Sequence, residues 1–208
     1  MYPLKIIGLG PGHPDFILPI AKKEIQDAEV ILCGVRHAES FDTTGKEMLY
    51  IGKGTSLSEL MEEIALIYPK KKTALVVSGD CGFHSLLSYA KKVIPIKHIV
   101  CIPGISSLQY FFAKLNLTWE DAKLMSLHGR DPDFITEVEE NEKLGLLTDK
   151  TNNTAFIAQT LLSAGLENRI IYVGEELSYS NEKITRLTLT EALDYQEEGL
   201  AVVVIVNE

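Results

Sequence analysis

The chain has 208 residues, of which 46% are hydrophobic and 24% charged, and a formal net charge of −9. That length allows one ordinary domain or two small lobes with a real core, and the composition is that of a soluble globular protein. The acidic balance excludes a surface that coats nucleic acid, because phosphate binding needs clustered Lys and Arg, but it allows a local basic pocket for an acidic small molecule.

Short apolar runs alternate with helical patterns along the chain. Leu4 to Leu9 predicts a strand, and Ile17 to Ala28 a helix with Pro19 tolerated in its first turn. Glu29 to Cys33 is strand-like again. Ser56-Leu57-Ser58-Glu59 has the pattern of a capping box and opens a helix that Pro69 stops. Thr73 to Val77 and His98 to Ile102 predict strands, each running into a Gly-containing turn and then a helix. This rhythm predicts a mostly parallel sheet covered by helices. The character changes after about Leu117, where Thr118-Trp119-Glu120-Asp121 is polar and turn-like. Strands are expected over Ala122 to Leu127, Leu144 to Thr148, Arg169 to Val173 and Ile184 to Leu189, with a helix from Thr154 to Ala164. Leu200 to Val206, an unbroken aliphatic run from Ala201, predicts a buried closing strand. The expected architecture is α/β with two lobes, residues 1–116 on a mostly parallel sheet and 117–208 on an antiparallel or mixed one.

The opening Met1-Tyr2-Pro3-Leu4-Lys5-Ile6-Ile7-Gly8 has no basic segment before a long apolar run, so no signal peptide is expected. No apolar stretch approaches the ~20 residues of a membrane helix. Cys33, Cys81 and Cys101 are odd in number and lack CxxC spacing, so no disulfide framework is read from them. Beside apolar stretches they are expected to be buried and reduced, which places the chain in the cytoplasm.

Three glycine-bearing turns carry the functional signal. The first strand ends in Gly8-Leu9-Gly10-Pro11-Gly12-His13-Pro14-Asp15. Glycines let a backbone turn tightly and approach a ligand closely. A dinucleotide fingerprint would need glycine where this chain has His13, and Pro11 removes an amide that a pyrophosphate would use. Alone, the pattern is equally well a strand-to-helix turn. The second turn is Ser78-Gly79-Asp80-Cys81-Gly82-Phe83, and the third is Pro103-Gly104-Ile105-Ser106-Ser107. Ligands bind outside the carboxyl ends of parallel strands, so the three turns would converge on one cleft. Asp80 could accept from a hydroxyl or amine there and Ser106 and Ser107 could donate; each is also a good helix N-cap.

Those three turns, in that order, resemble the tetrapyrrole methylases, the class III methyltransferases. Further stretches resemble the members that methylate carbon 5 of precorrin-7: Asn116-Leu117-Thr118-Trp119-Glu120-Asp121, Met125-Ser126-Leu127-His128-Gly129-Arg130, Leu146-Leu147-Thr148-Asp149 and Tyr172-Val173-Gly174-Glu175-Glu176-Leu177. The resemblance covers essentially the whole chain. It implies two α/β lobes with the cofactor in the cleft between them, S-adenosylmethionine as that cofactor, a homodimer, and a polycarboxylate corrinoid as substrate. By matching motif, Pro11, Ser78, Gly79, Asp80, Phe83, Ser106 and Ser107 would contact the cofactor, with Leu147 or Thr148, Gly174 and Ala201 completing its pocket. One departure is informative. Uroporphyrinogen-methylating members carry a catalytic Asp after the second strand, whereas this chain has Leu32-Cys33-Gly34-Val35-Arg36-His37, so uroporphyrinogen is not the expected substrate.

Methyl transfer from a sulfonium to an enamine-like meso carbon needs no metal. It needs alignment in a dry cleft, where orientation can supply ~7–11 kcal/mol of the barrier. His128 is the first candidate for a base that removes the ring proton. Arg130 and Arg36, with His37 beside it, are candidates to hold substrate carboxylates, since a guanidinium forks onto a carboxylate with two hydrogen bonds. A salt bridge to Asp131 and a structural histidine are the plainer roles for Arg130 and His128. The histidines show no zinc-ligand spacing, so no metal is expected. Lys70-Lys71-Lys72 is expected to be a solvated turn. The other readings are a class III methylase acting on ribosomal RNA or of the diphthine type, an NAD-dependent oxidoreductase, and a non-catalytic module that keeps the pocket. Carbon-15 methylation and decarboxylation are expected from a separate partner protein.

Overall fold

The computed structural model describes residues 1–128 and 133–207. By internal contacts the chain divides into two units, Met1–Ser106 and Ser107–Glu208.

The first unit is built on five parallel strands among the described residues, in the order β3-β2-β4-β1-β5. They are β1 (Leu4–Gly8), β2 (Val30–Gly34), β3 (Glu47–Ile51), β4 (Thr73–Val77) and β5 (Ile99–Ile102). β1 is an interior strand between β4 and β5, with Leu4 opposite Thr73 on one side and Ile99 on the other. Helices on both faces explain the continuous apolar strands. Alternate side chains go to opposite faces, as the strand period requires. Leu4, Ile6, Leu32 and Leu75 pack under α2 (Leu57–Ile67) and α3 (Leu87–Val93), against Leu60, Ile64 and Ala90. Ile7, Ile31, Ala74 and Val76 pack on the other face, under Ala21 and Ile25 of α1 (Pro19–Asp27). Each fully buried aliphatic is worth about 1.5–3 kcal/mol relative to exposure. The capping box forms: the Glu59 amide donates to Ser56 Oγ at 3.2 Å, and the Ser56 amide donates to Glu59 Oε2 at 2.8 Å.

The second unit has a mixed sheet in the order β6-β7-β10-β8-β9. The strands are β6 (Lys123–Ser126), β7 (Lys143–Leu147), β8 (Arg169–Glu175), β9 (Lys183–Thr188) and β10 (Ala201–Asn207). β6 and β7 pair in parallel and the other neighbours antiparallel. Leu146, Ile171, Val173 and Val203 face Ile157, Ala158 and Leu161 of α6 (Thr154–Ser163), with α5 (Ile135–Glu140) and α7 (Leu189–Ala192) closing the core. The opposite face is covered by α4 (Ser107–Lys114), whose Leu108, Phe111 and Phe112 are fully buried. Glycines make room for those rings: a Cβ on Gly145 would stand 3.1 Å from Phe112, and one on Gly174 2.9 Å from Phe111. This packing on β7 and β10 puts α4 in the second unit, ahead of the division expected near residue 116.

Two expectations are corrected. Cys101 is exposed rather than buried, because β5 is an edge strand among the described residues; Cys33 and Cys81 are buried. His98 lies in a short 3-10 turn before β5, with its Nδ1 3.0 Å from the Tyr68 hydroxyl. Lys70-Lys71-Lys72 is the solvated turn expected, in which Lys71 pairs with Glu47 at 2.6 Å and Lys72 with Asp27 at 2.7 Å. Such exposed pairs contribute little.

Candidate functional site

In the first unit the three glycine turns interlock at the carboxyl edge of the sheet. Gly10 and Gly79 exchange both backbone hydrogen bonds, at 3.1 and 2.9 Å. Gly10 has φ +89° and Gly79 φ +62°, a region that favours glycine. The third turn closes on the other two: a Cβ on Gly104 would lie 2.2 Å from the Gly79 carbonyl oxygen and 2.8 Å from that of Gly8. Asp80 binds both sides of this junction. Its Oδ1 accepts from the Gly82 amide at 2.7 Å and its Oδ2 from the Gly104 amide at 3.1 Å. It therefore ties turn to turn instead of capping a helix. His13 caps the short Pro14–Phe16 turn, its Nδ1 accepting from the Asp15 amide at 3.2 Å. Cys81 faces Cys101; burial first, then that neighbour, pushes the Cys81 thiol up to about 12.

Gly8–Gly12, Ser78, Gly79, Asp80 and Gly104 are thus brought together, with Pro11 and Phe83 half-buried beside them. Ser106 is the last residue of this unit. Arg36 and His37 lie in the Val35–Ser40 turn that follows β2, the neighbour of β4. His37 Nδ1 is buried without a hydrogen-bond partner among the described residues. Burial, helped by the Arg36 charge, holds His37 below the usual histidine range, so the ring is kept neutral.

The second unit contains a cavity of about 900 Å³. Three expected residues line it, His128, Thr148 and Ala201, and the Thr148 hydroxyl donates to the Ala201 carbonyl at 2.8 Å. Asp149 also lines it, while its Oδ1 accepts from the amides of Thr151 and Asn152, both at 2.8 Å. Ser107 opens α4 and Leu147 ends β7. Gly174 is packed behind β8 against Phe111 and Leu177 and does not reach this lining. Arg130 lies outside the described residues. Sequence reasoning missed the wall formed by Gln196 to Leu200, together with Glu176. The polar run Tyr195-Gln196-Glu197-Glu198-Gly199 just before the closing strand was the available signal. Asp149, Glu176, Glu197 and Glu198 against Lys150 give the lining a carboxylate excess. Such a surface attracts positive charge and hydrogen-bond donors and repels a polyanion.

The match to known proteins agrees with this arrangement. Residues 3–193 match the tetrapyrrole (corrin/porphyrin) methylases. The chain belongs to that family. It is therefore a methyltransferase of the tetrapyrrole methylase fold, and an NAD-dependent oxidoreductase is set aside. It is 29% identical over 202 residues to the cobalt-precorrin-7 C(5)-methyltransferase of Salmonella typhimurium, covering 97% of this chain and 98% of that one. A Methanocaldococcus jannaschii protein named "probable cobalt-precorrin-7 C(5)-methyltransferase" is 32% identical over 192 residues, 89% of each chain. The solved uroporphyrin-III C-methyltransferase of Thermus thermophilus, in complex with S-adenosylhomocysteine, superposes with a TM-score of 0.79. It is 18% identical, over 98% of this chain and 97% of that one, which is a likeness of fold.

Proposed function

We propose that this tetrapyrrole methylase transfers the methyl group of S-adenosylmethionine to carbon 5 of cobalt-precorrin-7. The observation that carries the reading is the interlocked junction of Gly10, Gly79, Asp80 and Gly104 on a chain similar over almost its whole length to proteins of that name. Cobalt belongs to the substrate in this reading, as in the relatives' names, and no metal serves the protein.

S-adenosylmethionine supplies a methyl group already activated on a sulfonium. The chain's residues do the rest. Turns that hold Pro11, Ser78 and Phe83 on a rigid backbone junction fix where the donor sits, because no side chain intervenes between Gly8, Gly79 and Gly104. The carboxylate-rich cavity at Thr148 and Ala201 suits the positively charged cofactor better than a polycarboxylate ring system. The substrate's carboxylates fall instead to Arg36 and Arg130, with His37 as a neutral neighbour. His128, on the cavity wall, is the proposed acceptor of the ring proton. Leu147, Ser106 and Ser107 complete the proposed cofactor surroundings, while Gly174, which does not line the cavity, leaves room for Phe111. A homodimer in the cytoplasm, with a separate protein methylating carbon 15 and decarboxylating, belongs to the same proposal. The names of the Salmonella typhimurium and Methanocaldococcus jannaschii relatives specify carbon 5 alone, and the three free cysteines suit a reducing compartment.

The deciding experiment incubates the chain with labelled S-adenosylmethionine, EDTA and a panel of corrinoid intermediates. Cobalt-precorrin-7 should gain a single methyl group and lose no carboxylate. Transfer only to a different intermediate, or tighter binding of NAD than of S-adenosylhomocysteine, would overturn the reading.

A further inference from the structure

We propose that Glu175, a buried carboxylate at the end of β8, is a positioning residue for cofactor binding that acts through the loop 195–200. The inference rests on the reading above, in which the cofactor occupies the cavity at Thr148 and Ala201.

Glu175 is only 2% exposed and lies opposite Ala201 in the β8–β10 register. Its Oε1 accepts from the Glu198 amide at 2.7 Å, and its Oε2 accepts from the Tyr195 hydroxyl. That hydroxyl is also 3.0 Å from Thr185 Oγ1, and Lys183 Nζ stands 3.6 Å from Oε2. Burial and the Glu175 hydrogen bond both push the Tyr195 phenol up, which keeps it a donor. The loop is held at two more points. Glu197 reaches the start of α6, its Oε1 accepting from the Thr154 amide at 2.8 Å and from the Thr154 hydroxyl at 2.5 Å. Glu176 grips the far end: its amide donates to the Leu200 carbonyl at 2.9 Å, and its Oε1 accepts from the Leu200 amide at 2.8 Å. To do so Glu176 adopts φ +44°, a left-handed conformation unfavourable for a non-glycine residue.

Three carboxylates therefore fix one short loop, and that loop is the cavity wall that ends at Ala201. A buried carboxylate is a poor way to gain stability, since an apolar side chain of similar volume would do as well or better. What it provides here is placement. Partners on the loop and on β9 leave the Glu198 amide one position, on the cavity wall itself.

The test uses the full chain and two substitutions of Glu175, read by calorimetry with S-adenosylhomocysteine, by steady-state kinetics and by melting. Glu175→Ala should raise the Kd for S-adenosylhomocysteine about 10- to 100-fold, the usual consequence of losing hydrogen bonds to a charged acceptor. Its KM for S-adenosylmethionine should rise more than its kcat falls, and its KM for the corrinoid should stay as in the unaltered chain. Glu175→Gln keeps an oxygen for the Glu198 amide and should stay within about threefold. Should Glu175→Ala fail to fold, Gly199→Ala replaces it. Its new Cβ would lie 2.3 Å from Glu176 Oε1, so it shifts the wall without emptying the core, and it should weaken binding similarly. Folded variants that bind as the unaltered chain does would overturn the inference. So would a Gln variant as weak as the Ala variant, since charge rather than placement would then be at work. An unaltered chain that binds neither form of the cofactor would overturn the underlying reading, and this inference with it.

Discussion

Gly104 has a Cβ position 2.2 Å from one carbonyl oxygen and 2.8 Å from another, both backbone, so nothing nearby can rotate away to admit a side chain. Gly104→Ala is therefore expected to destabilise the fold by about 1–3 kcal/mol through overpacking. Urea unfolding should show a lower midpoint with an unchanged slope, and cofactor binding should weaken with it. The candidate substrate residues make a contrasting pair. His128→Ala should lower turnover by a factor on the order of 10²–10⁴ if His128 takes the ring proton, with substrate binding preserved. Arg130→Ala should weaken corrinoid binding by ~2–5 kcal/mol if the carboxylate it holds is buried, leaving S-adenosylhomocysteine affinity unchanged. Wild-type activity in both, measured with cobalt-precorrin-7, would remove them from the site. The glycines were legible because close backbone approach leaves only one residue type that fits. Exposure was not: Cys101 sits in an apolar run like Cys33, and only the strand order puts it at an edge.

Helix starts were written locally and could be read that way. Ser56 and Glu59 form the box opening α2, and Thr188 and Glu191 form another at α7. The Ser56 hydroxyl and amide hold the Glu59 carboxyl below its ordinary range. The Thr188 amide and hydroxyl do the same for Glu191. A depressed carboxylate stabilises in full above its unfolded value, about 4.3, and loses that contribution as pH falls through the lower folded one. The difference in urea midpoint between the unaltered chain and Glu59→Gln should hold at neutral pH and close in acid. A gap that ignores pH would mean the carboxylate charge takes no part in the cap. Elements with little local signature were missed. Edge strand β3 carries only half-buried or exposed residues, and α5 is six residues long with Val138 as its one buried side chain. Neither shows the hydrophobic period that a pattern search needs.

The two-unit architecture and the parallel-then-mixed sheets followed from the change in element rhythm, but α4 lay on the other side of the expected division. Its assignment depends on Phe111 and Phe112 meeting glycines on distant strands, which no local pattern encodes. Saturating ligand gives a whole-molecule check: S-adenosylhomocysteine at a hundred times its Kd should stabilise the chain by about 2.7 kcal/mol. For a chain of this length that corresponds to a rise in Tm of roughly 5–10 °C. No rise would count against a specific site. Light scattering at micromolar concentration should report a dimer, and a monomer would refute that part of the proposal. The interior place of β1 has a consequence for how the protein is made. Its partners are Thr73–Val77 on one side and Ile99–Ile102 on the other, so this strand waits until Ile99–Ile102 has been made before it can pair on both edges. The hairpin of β8 and β9 closes over a few residues and has no such delay. During synthesis Leu4-Lys5-Ile6-Ile7 is an apolar segment that keeps one edge unpaired, and a nascent chain stalled before residue 99 is expected to be prone to aggregate or to recruit a chaperone.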